Sequence, residues 1–485
     1  MFDPFSDTKS SYQAIRKHSA AHDVYNRLHS IAKDTEFVKR VSQDWYEDQF
    51  VVIPNQRCGT WYCDPKTSCS EYAYFKSTDG HMGQWDFSLR RANLHLVDFA
   101  NRNGGFIIVD STRRGKRMPD ALSKTVPIWC AVINRAVAKR RAAECASSAD
   151  GEDMWNTDLY CPPTVVSPTE KSQIETCIDK WADQLLASSL TLPNPVAPLR
   201  PFFIHPSIAH SPSLPTKKNS SNASGSYCPA LIPIICLSAS MFIQHGGPEP
   251  MRSRSGFGFE YIQGSGDDED FWAQGLQPKS FHQHRERLLS TPKQDLQQVI
   301  EEIKASSAQG IATPNSAHLS NIVEIPPNSG LFLGVTSAKN DLGSSDKQLI
   351  LQLTRLTQEE LVDPTQTDSY LFQRIPKSKK GEIYYLNTVL PAFAEAASTA
   401  MDQGNDVLVI DDDGKDVSVG VMVVLSWIFV DDDGKRRSGP PPTATKSDTR
   451  KRLQWILDKR PGANPSRSTL QRVNEFLMSP RRSQV

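Results

Sequence analysis

The chain has 485 residues, more than one hydrophobic core normally accommodates; 38% are apolar, 23% are charged, and the formal net charge is zero. These values exclude a disordered, collagen-like or membrane-embedded polypeptide and predict a soluble protein of two domains with room for a deep active site. Zero net charge gives no whole-molecule attraction to a polyanion, yet residues 434–485 hold 13 Lys and Arg against three acids. A second basic group, Arg113, Arg114, Lys116 and Arg117, is followed by Arg135, Lys139, Arg140 and Arg141. Basic faces on a neutral protein suit a phosphate-backbone partner, because neutralised phosphates release condensed counterions.

The first residues, MFDPFSDTKSSY, show neither a basic segment leading into an apolar stretch nor an Arg-rich amphipathic pattern, so the expected compartment is the cytoplasm. Nine scattered cysteines predict reduced thiols, and Cys58, Cys63 and Cys69 lack the second ligand pair that a zinc site needs. His282 and His284 read as a solvent-facing pair rather than metal ligands. A strand over Phe106–Val109 ends at Asp110. The segment from His205 to Ser226, rich in Pro, Ser and Asn, reads as a flexible insertion within a domain. Cys228 to Ile243 is shorter than the roughly 20 residues of a membrane span and is broken by Pro229 and Pro233, which predicts buried sheet. The pattern changes again near residue 315, so the expected domains are 1–314 and 315–485.

In the second domain, Leu331-Phe-Leu-Gly334 reads as a strand and Leu390 to Met401 as a helix ending at Gln403-Gly404. A strand, Val407 to Ile410, leads through the loop DDDGKDVSVG into the apolar stretch Val421 to Val430. Strand, glycine loop and helix form a standard anion site, since backbone N–H groups converge at the positive end of the helix. Asp413, Gly414, Lys415, Asp416, Ser418 and Gly420 are therefore the candidates for donor phosphate binding, and the acids among them suit a sugar phosphate carrying Mg²⁺. The second DDDGK, from Asp431, predicts a turn. A basic helix spans Arg450 to Asp458, and Ser468-x-x-Gln471 supplies a capping box for a final helix through Phe476.

The 411–420 loop resembles the His-Cys-x-x-Gly-x-x-Arg-Ser loop of dual-specificity phosphatases, with Asp411 where the nucleophilic Cys belongs, Ile410 for the His and Val417 for the Arg. Without thiolate or guanidinium, cysteine-based phosphatase chemistry is excluded. Val-Leu-Val-Ile-Asp-Asp, residues 407–412, also resembles the ribose-holding element of ordinary phosphoribosyltransferases, but their Thr-Gly-x-Thr loop does not follow.

Six stretches, Lys76–His81, Trp85–His95, Gly104–Trp129, Gly264–Leu276, Gly414–Gly420 and Asn464–Asn474, resemble the initiator tRNA phosphoribosyltransferases, so the similarity reaches over nearly the whole chain. The resemblance implies an α/β protein with a family-specific α+β N-terminal domain and a dual-specificity-phosphatase-like C-terminal domain. It implies transfer from phosphoribosyl pyrophosphate to the 2′-hydroxyl of the purine nucleotide at position 64 of initiator methionine tRNA, which keeps that tRNA from elongation. Displacing pyrophosphate passes through an oxocarbenium-like centre, so cations or Mg²⁺ must stabilise the leaving group and a base must meet the hydroxyl. The catalytic candidates are His81, Asp110, Arg113 and Arg114, with His95 a second possible base. Arg90, Arg91, Lys116, Arg117, Arg450, Lys451 and Arg467 are candidates for tRNA contact, and Asp267 and Asp268 for a metal. The alternative is a catalytically inactive, phosphatase-like tRNA-binding protein. No obligate protein partner or membrane is implied.

Overall fold

The computed structural model describes residues 23–113, 115–144, 155–214, 230–243, 249–252, 258–310, 319–336, 348–357, 363 and 365–479. The chain forms two compact units, one of Met1–Ala187 with Leu192–Thr313, the other of Pro314–Val485 with the short excursion Ser188–Thr191. Arg114 and most of the Pro/Ser/Asn-rich insertion lie outside the described residues.

The first unit opens with helix α1 (Val24–Arg40), whose free N-terminal amides are met by the Asp23 carboxylate, which accepts from Asn26 N at 3.1 Å. Then come β1 (Val51–Pro54), α2 (His95–Asn103), β2 (Phe106–Asp110), α3 (Val126–Glu144), α4 (Pro168–Leu186), β3 (Leu199–Ile204) and β4 (Ile232–Ser238). The strands form one sheet in the order β1-β2-β4-β3, and every pairing is parallel. Parallel neighbours need crossover connections: α2 lies between β1 and β2, and α3 and α4 between β2 and β3, while an antiparallel ribbon and further helices beyond β4 give the unit the mixed character expected from its sequence. Both faces of the sheet are covered, so β2 and β4 are buried at every position. Ile107 and Val109 join a core with Leu28 and Ile31 of α1, while Phe106 on the opposite face meets Phe99 of α2.

Beyond β4 lie a two-stranded ribbon, β5 (Glu249–Arg252) with β6 (Gly258–Tyr261), and four helices: α5 (Glu269–Trp272), α6 (Pro278–Gln283), α7 (Arg285–Ser290) and α8 (Leu296–Gly310). Gly264, at φ +71°, lies so close to the segment after β2 that a Cβ there would meet Thr112 O at 2.6 Å. The 262–268 loop thereby closes onto the carboxyl end of β2.

In the second unit the sheet order is β10-β9-β11-β8-β7. The strands are β7 (Leu319–Glu324), β8 (Leu331–Thr336), β9 (Gln348–Thr354), β10 (Tyr370–Arg374) and β11 (Asp406–Asp411). Only β7 runs antiparallel to its neighbour. β7 precedes the strand expected to open this unit; Leu-Ser-Asn-Ile-Val-Glu shows no clean alternation, as befits a bulged edge strand. The helices are α9 (Lys379–Tyr384), α10 (Leu390–Asp402), α11 (Val417–Phe429), α12 (Lys446–Lys459) and α13 (Arg467–Met478). α11 is buried from Val417 through Ile428, which explains an apolar stretch without a polar face. The cap of α13 is Ser466, whose hydroxyl accepts from Thr469 N at 3.1 Å, and not the Ser468 box. The second DDDGK forms a turn, closed by a bridge between Val430 and Arg436. Among the described residues no helix is long and apolar enough to cross a membrane, and the described cysteines are free.

Candidate functional site

In parallel α/β sheets, ligands collect beyond the carboxyl ends of the strands. At that edge of the first unit lie the segments after β1, β2 and β4, together with the 262–268 loop. At its centre is Asp110, 0% exposed. Its carboxylate accepts from Arg57 Nε and Nη2, each at 3.1 Å, from Asn55 Nδ2 at 2.8 Å and from Ser111 N at 2.8 Å. Asp110 therefore anchors Arg57, and with its oxygens so occupied it is neither a free base nor a metal ligand. Burial disfavours the charged Arg57, but Asp110 and Asp267 more than offset this and hold its pKa up. The Cys58 thiol, 3.0 Å from Asp110, is pushed up by burial and by that carboxylate, so it is no nucleophile.

Arg57 Nη1 continues to Asp267 at 2.7 Å, and Asp267 also accepts from Arg113 Nε at 3.1 Å. Arg113, 60% exposed, pairs with Asp268 as well. The two acids expected to hold a metal are thus arginine partners, and among the described residues no group of three or more His, Cys, Asp or Glu is placed to hold one. The residues present do not fit a protein-held Mg²⁺. Behind the edge runs a buried chain of hydroxyls: Ser111 Oγ lies 2.5 Å from Ser240 Oγ, which donates to Asp34 at 2.6 Å, and Tyr261 donates to the other Asp34 oxygen at 2.7 Å. Burial raises the Asp34 carboxyl to about 8.

His81 stands at the rim, its Nε2 3.7 Å from Asp120, which also pairs with Lys116 at 2.6 Å and Lys124 at 3.1 Å. Arg117 is exposed and lies over the Phe242 ring at 5.3 Å. The structure therefore brings His81, Arg113, Lys116 and Arg117 to one edge. His95 is tied to Tyr72 O at 2.7 Å and its pKa is lowered by burial, so it is structural. Arg91 pairs with Asp79 at 2.8 Å, and Arg90 is half-buried beside it. His282 is half-buried on Trp61 O at 3.1 Å rather than facing solvent.

In the second unit the 411–418 loop closes on itself. Asp411, 3% exposed, accepts from the amides of Gly414 and Ser418, so its carboxylate takes the place that an anion would occupy. Asp413 accepts from Lys415 N at 2.8 Å. Burial raises Asp411 to about 6. Asp416 is spent on Ser466 N at 2.8 Å, Thr469 Oγ1 at 2.6 Å and Arg355 at 3.1 Å. Ser418 is fully buried, and Gly420 permits helix packing: a Cβ there would collide with the Tyr385 hydroxyl and lie 2.7 Å from Thr469 Cγ2. Of the residues expected to bind donor phosphate here, only Asp413 and Lys415 remain exposed. Arg450 and Arg467 are also exposed, while Lys451 pairs with Asp432 at 3.6 Å.

Residues 16–305 match the model for the Rit1 N-terminal domain, and residues 369–477 that for the Rit1 DUSP-like domain. The chain belongs to the Rit1 family. It is 31% identical over 500 residues to the tRNA A64-2′-O-ribosylphosphate transferase of Saccharomyces cerevisiae, covering 96% of this chain and 93% of that one. An uncharacterised protein of Schizosaccharomyces pombe is 32% identical over 486 residues, covering 95% of this chain and 96% of that one. Human DUSP28 aligns at 16% identity and a TM-score of 0.23, over 34% of this chain and 97% of its own. A human tyrosine phosphatase-like serine/threonine/tyrosine-interacting protein aligns at 16% and 0.23, over 32% and 94%. The dual-specificity-phosphatase-like fold of the second unit follows from the match of residues 369–477 to the Rit1 DUSP-like domain.

Within this Rit1 chain the sequence reading missed Arg57, the hub of the first unit's edge, whose only local signal is its place just after a buried strand. It also missed Arg460, which crowds Gly414 and hydrogen-bonds Asn321 O at 3.1 Å and Leu333 O at 3.2 Å.

Proposed function

We propose that this protein is a cytoplasmic transferase. It moves a 5-phosphoribosyl group from phosphoribosyl pyrophosphate to the 2′-hydroxyl of the purine nucleotide at position 64 of initiator methionine tRNA, which excludes that tRNA from elongation. The observation that carries this reading is the near-full-length similarity to the Saccharomyces cerevisiae enzyme, whose name states transfer to tRNA A64. Support from the geometry lies at the carboxyl edge of the first unit, where Arg113, Lys116 and Arg117 stand exposed around a rigid anchor. In the reaction the anomeric carbon–oxygen bond to pyrophosphate breaks and the ribose 2′-oxygen forms the new bond. Cationic side chains at the edge take up the charge growing on the leaving group. His81, facing solvent beside Asp120, accepts the hydroxyl proton, and Asp120 stabilises the imidazolium that forms. Arg57 and Asp110 hold the edge in shape. Mg²⁺ would be carried by the pyrophosphate of the donor and would help to offset the charge of the leaving group.

The second reading, tRNA binding without transfer, is favoured by one observation: the self-occupied loop of the second unit. The two separate in one experiment with donor labelled in the ribosyl phosphate and either initiator or elongator methionine tRNA. Label in initiator tRNA alone, lost with a chelator and strongly reduced by Arg113→Ala, is the expected result. Absence of label while tRNA is still retained leaves binding only.

A further inference from the structure

Asp411 and Asp413 occupy amides of the 411–418 loop and so withhold them from an external anion. Beside the loop is a cleft of about 250 Å³ lined by Arg355, Lys377, Ser378, Ser468, Thr469 and Arg472. Ligand sites for drug-sized molecules run to roughly 300–1,000 Å³, so this one suits a phosphate or a phosphosugar rather than a whole nucleotide. Three of the lining side chains are cations and a single one, Glu382, is a carboxylate. Ser468 and Thr469 belong to the first turn of α13, the positive end of a 12-residue helix.

The arginines are held by carboxylates at the margin: Arg355 by Asp416 at 3.1 Å, and Arg472 by Glu382 at 3.6 Å and Glu475 at 2.6 Å. These pairs fix the guanidinium planes yet leave Arg355 Nε and Arg472 Nε buried without a hydrogen-bond partner. Lys377 stands exposed at the rim. A planar donor set of this kind matches phosphate oxygens.

We propose that this cleft is a phosphate-binding site, distinct from the phosphatase-type loop beside it, with Arg355, Arg472 and Lys377 as its cations and the Ser378 and Ser468 hydroxyls as further donors. The phosphate belongs either to a small phosphosugar or diphosphate, or to the backbone of the RNA. The site stands independently of transfer chemistry, because it is tested by binding.

The test uses the full chain, with inorganic pyrophosphate and ribose 5-phosphate titrated by calorimetry and tRNA by filter binding over a range of salt. The variants are Lys377→Ala, Arg472→Gln and the pair, with Lys446→Ala as an exposed-charge control. Each lost cation is expected to weaken its ligand about ten-fold, while Lys446→Ala leaves small-ligand affinity unchanged. Weaker pyrophosphate or ribose 5-phosphate binding with unchanged tRNA affinity assigns the site to the small ligand. Weaker tRNA binding with a shallower salt slope assigns it to an RNA phosphate. Unchanged binding of all three ligands by the pair, with the melting temperature preserved, overturns the proposal.

Discussion

Replacing Arg57 by Met tests whether the edge of the first unit is organised around a buried ion pair. Arg57 spans the fully buried Asp110, at 3.1 Å, and Asp267, at 2.7 Å. In the variant, Asp110 keeps Asn55 Nδ2 and Ser111 N, each at 2.8 Å, but no cation. Removing one partner of a buried pair costs about 3–5 kcal/mol, because it strands the other charge. The unit has about 300 residues, and with an unfolding entropy of roughly 2.1 cal/mol/K per residue each kcal/mol shifts the melting temperature by about 1.5 °C, so its transition should fall by roughly 5–8 °C. Calorimetry gives the shift, and amide exchange at Ile107, Ile108 and Val109 shows whether opening is local to β2. Arg57→Met combined with Asp110→Asn removes both charges and should recover much of the loss, so the double-mutant cycle isolates the pair. A cost below about 1 kcal/mol for Arg57→Met, in the range of an exposed pair, would refute the buried-anchor reading.

Gly420→Ala should cost about 1–3 kcal/mol despite the better helix propensity of Ala, since the new methyl group collides with the Tyr385 hydroxyl and Thr469; a stabilised protein in urea would contradict that packing. Two acids raised by burial set opposite-to-usual pH slopes. An acid that titrates higher in the folded state loses stability for the fold as pH climbs from its unfolded to its folded value. For Asp411 that window runs from 3.8 to about 6 and for Asp34 from 3.8 to about 8, so Asp411→Asn should lessen the slope only up to about pH 6, whereas Asp34→Asn should lessen it over the whole range to about pH 8. Urea midpoints at each pH read this, and wild-type slopes in both variants would sink it. Arg450→Ala and Arg467→Ala should each lower the salt slope of tRNA binding by about 1 if they meet backbone phosphates, as filter binding would report.

How far the sequence speaks depends on the distance over which each answer is decided. The β11–loop–α11 unit is legible because it is local: an apolar strand, a glycine at φ +65° and a buried apolar helix follow one another within 24 residues, 406–429. The use of the loop is not legible in the same way. Asp411 reads as a replaced nucleophile, but only its burial beneath the Gly414 and Ser418 amides shows that it fills the anion position itself. In the first unit, the charges of Asp110, Asp267 and Arg113 can be read as candidates for catalysis or metal binding. Their roles are fixed by Arg57, which lies 53 residues from Asp110 and 210 from Asp267. A carboxylate is a metal ligand, a base or a buried counter-ion according to its nearest cation, and that partner is a property of the parallel sheet and not of the neighbouring sequence. Arg113, Lys116 and Arg117 in one unit and Lys377, Arg450 and Arg467 in the other are exposed cations without a buried fixed role. They are therefore where the binding of phosphate-bearing substrates should be sought.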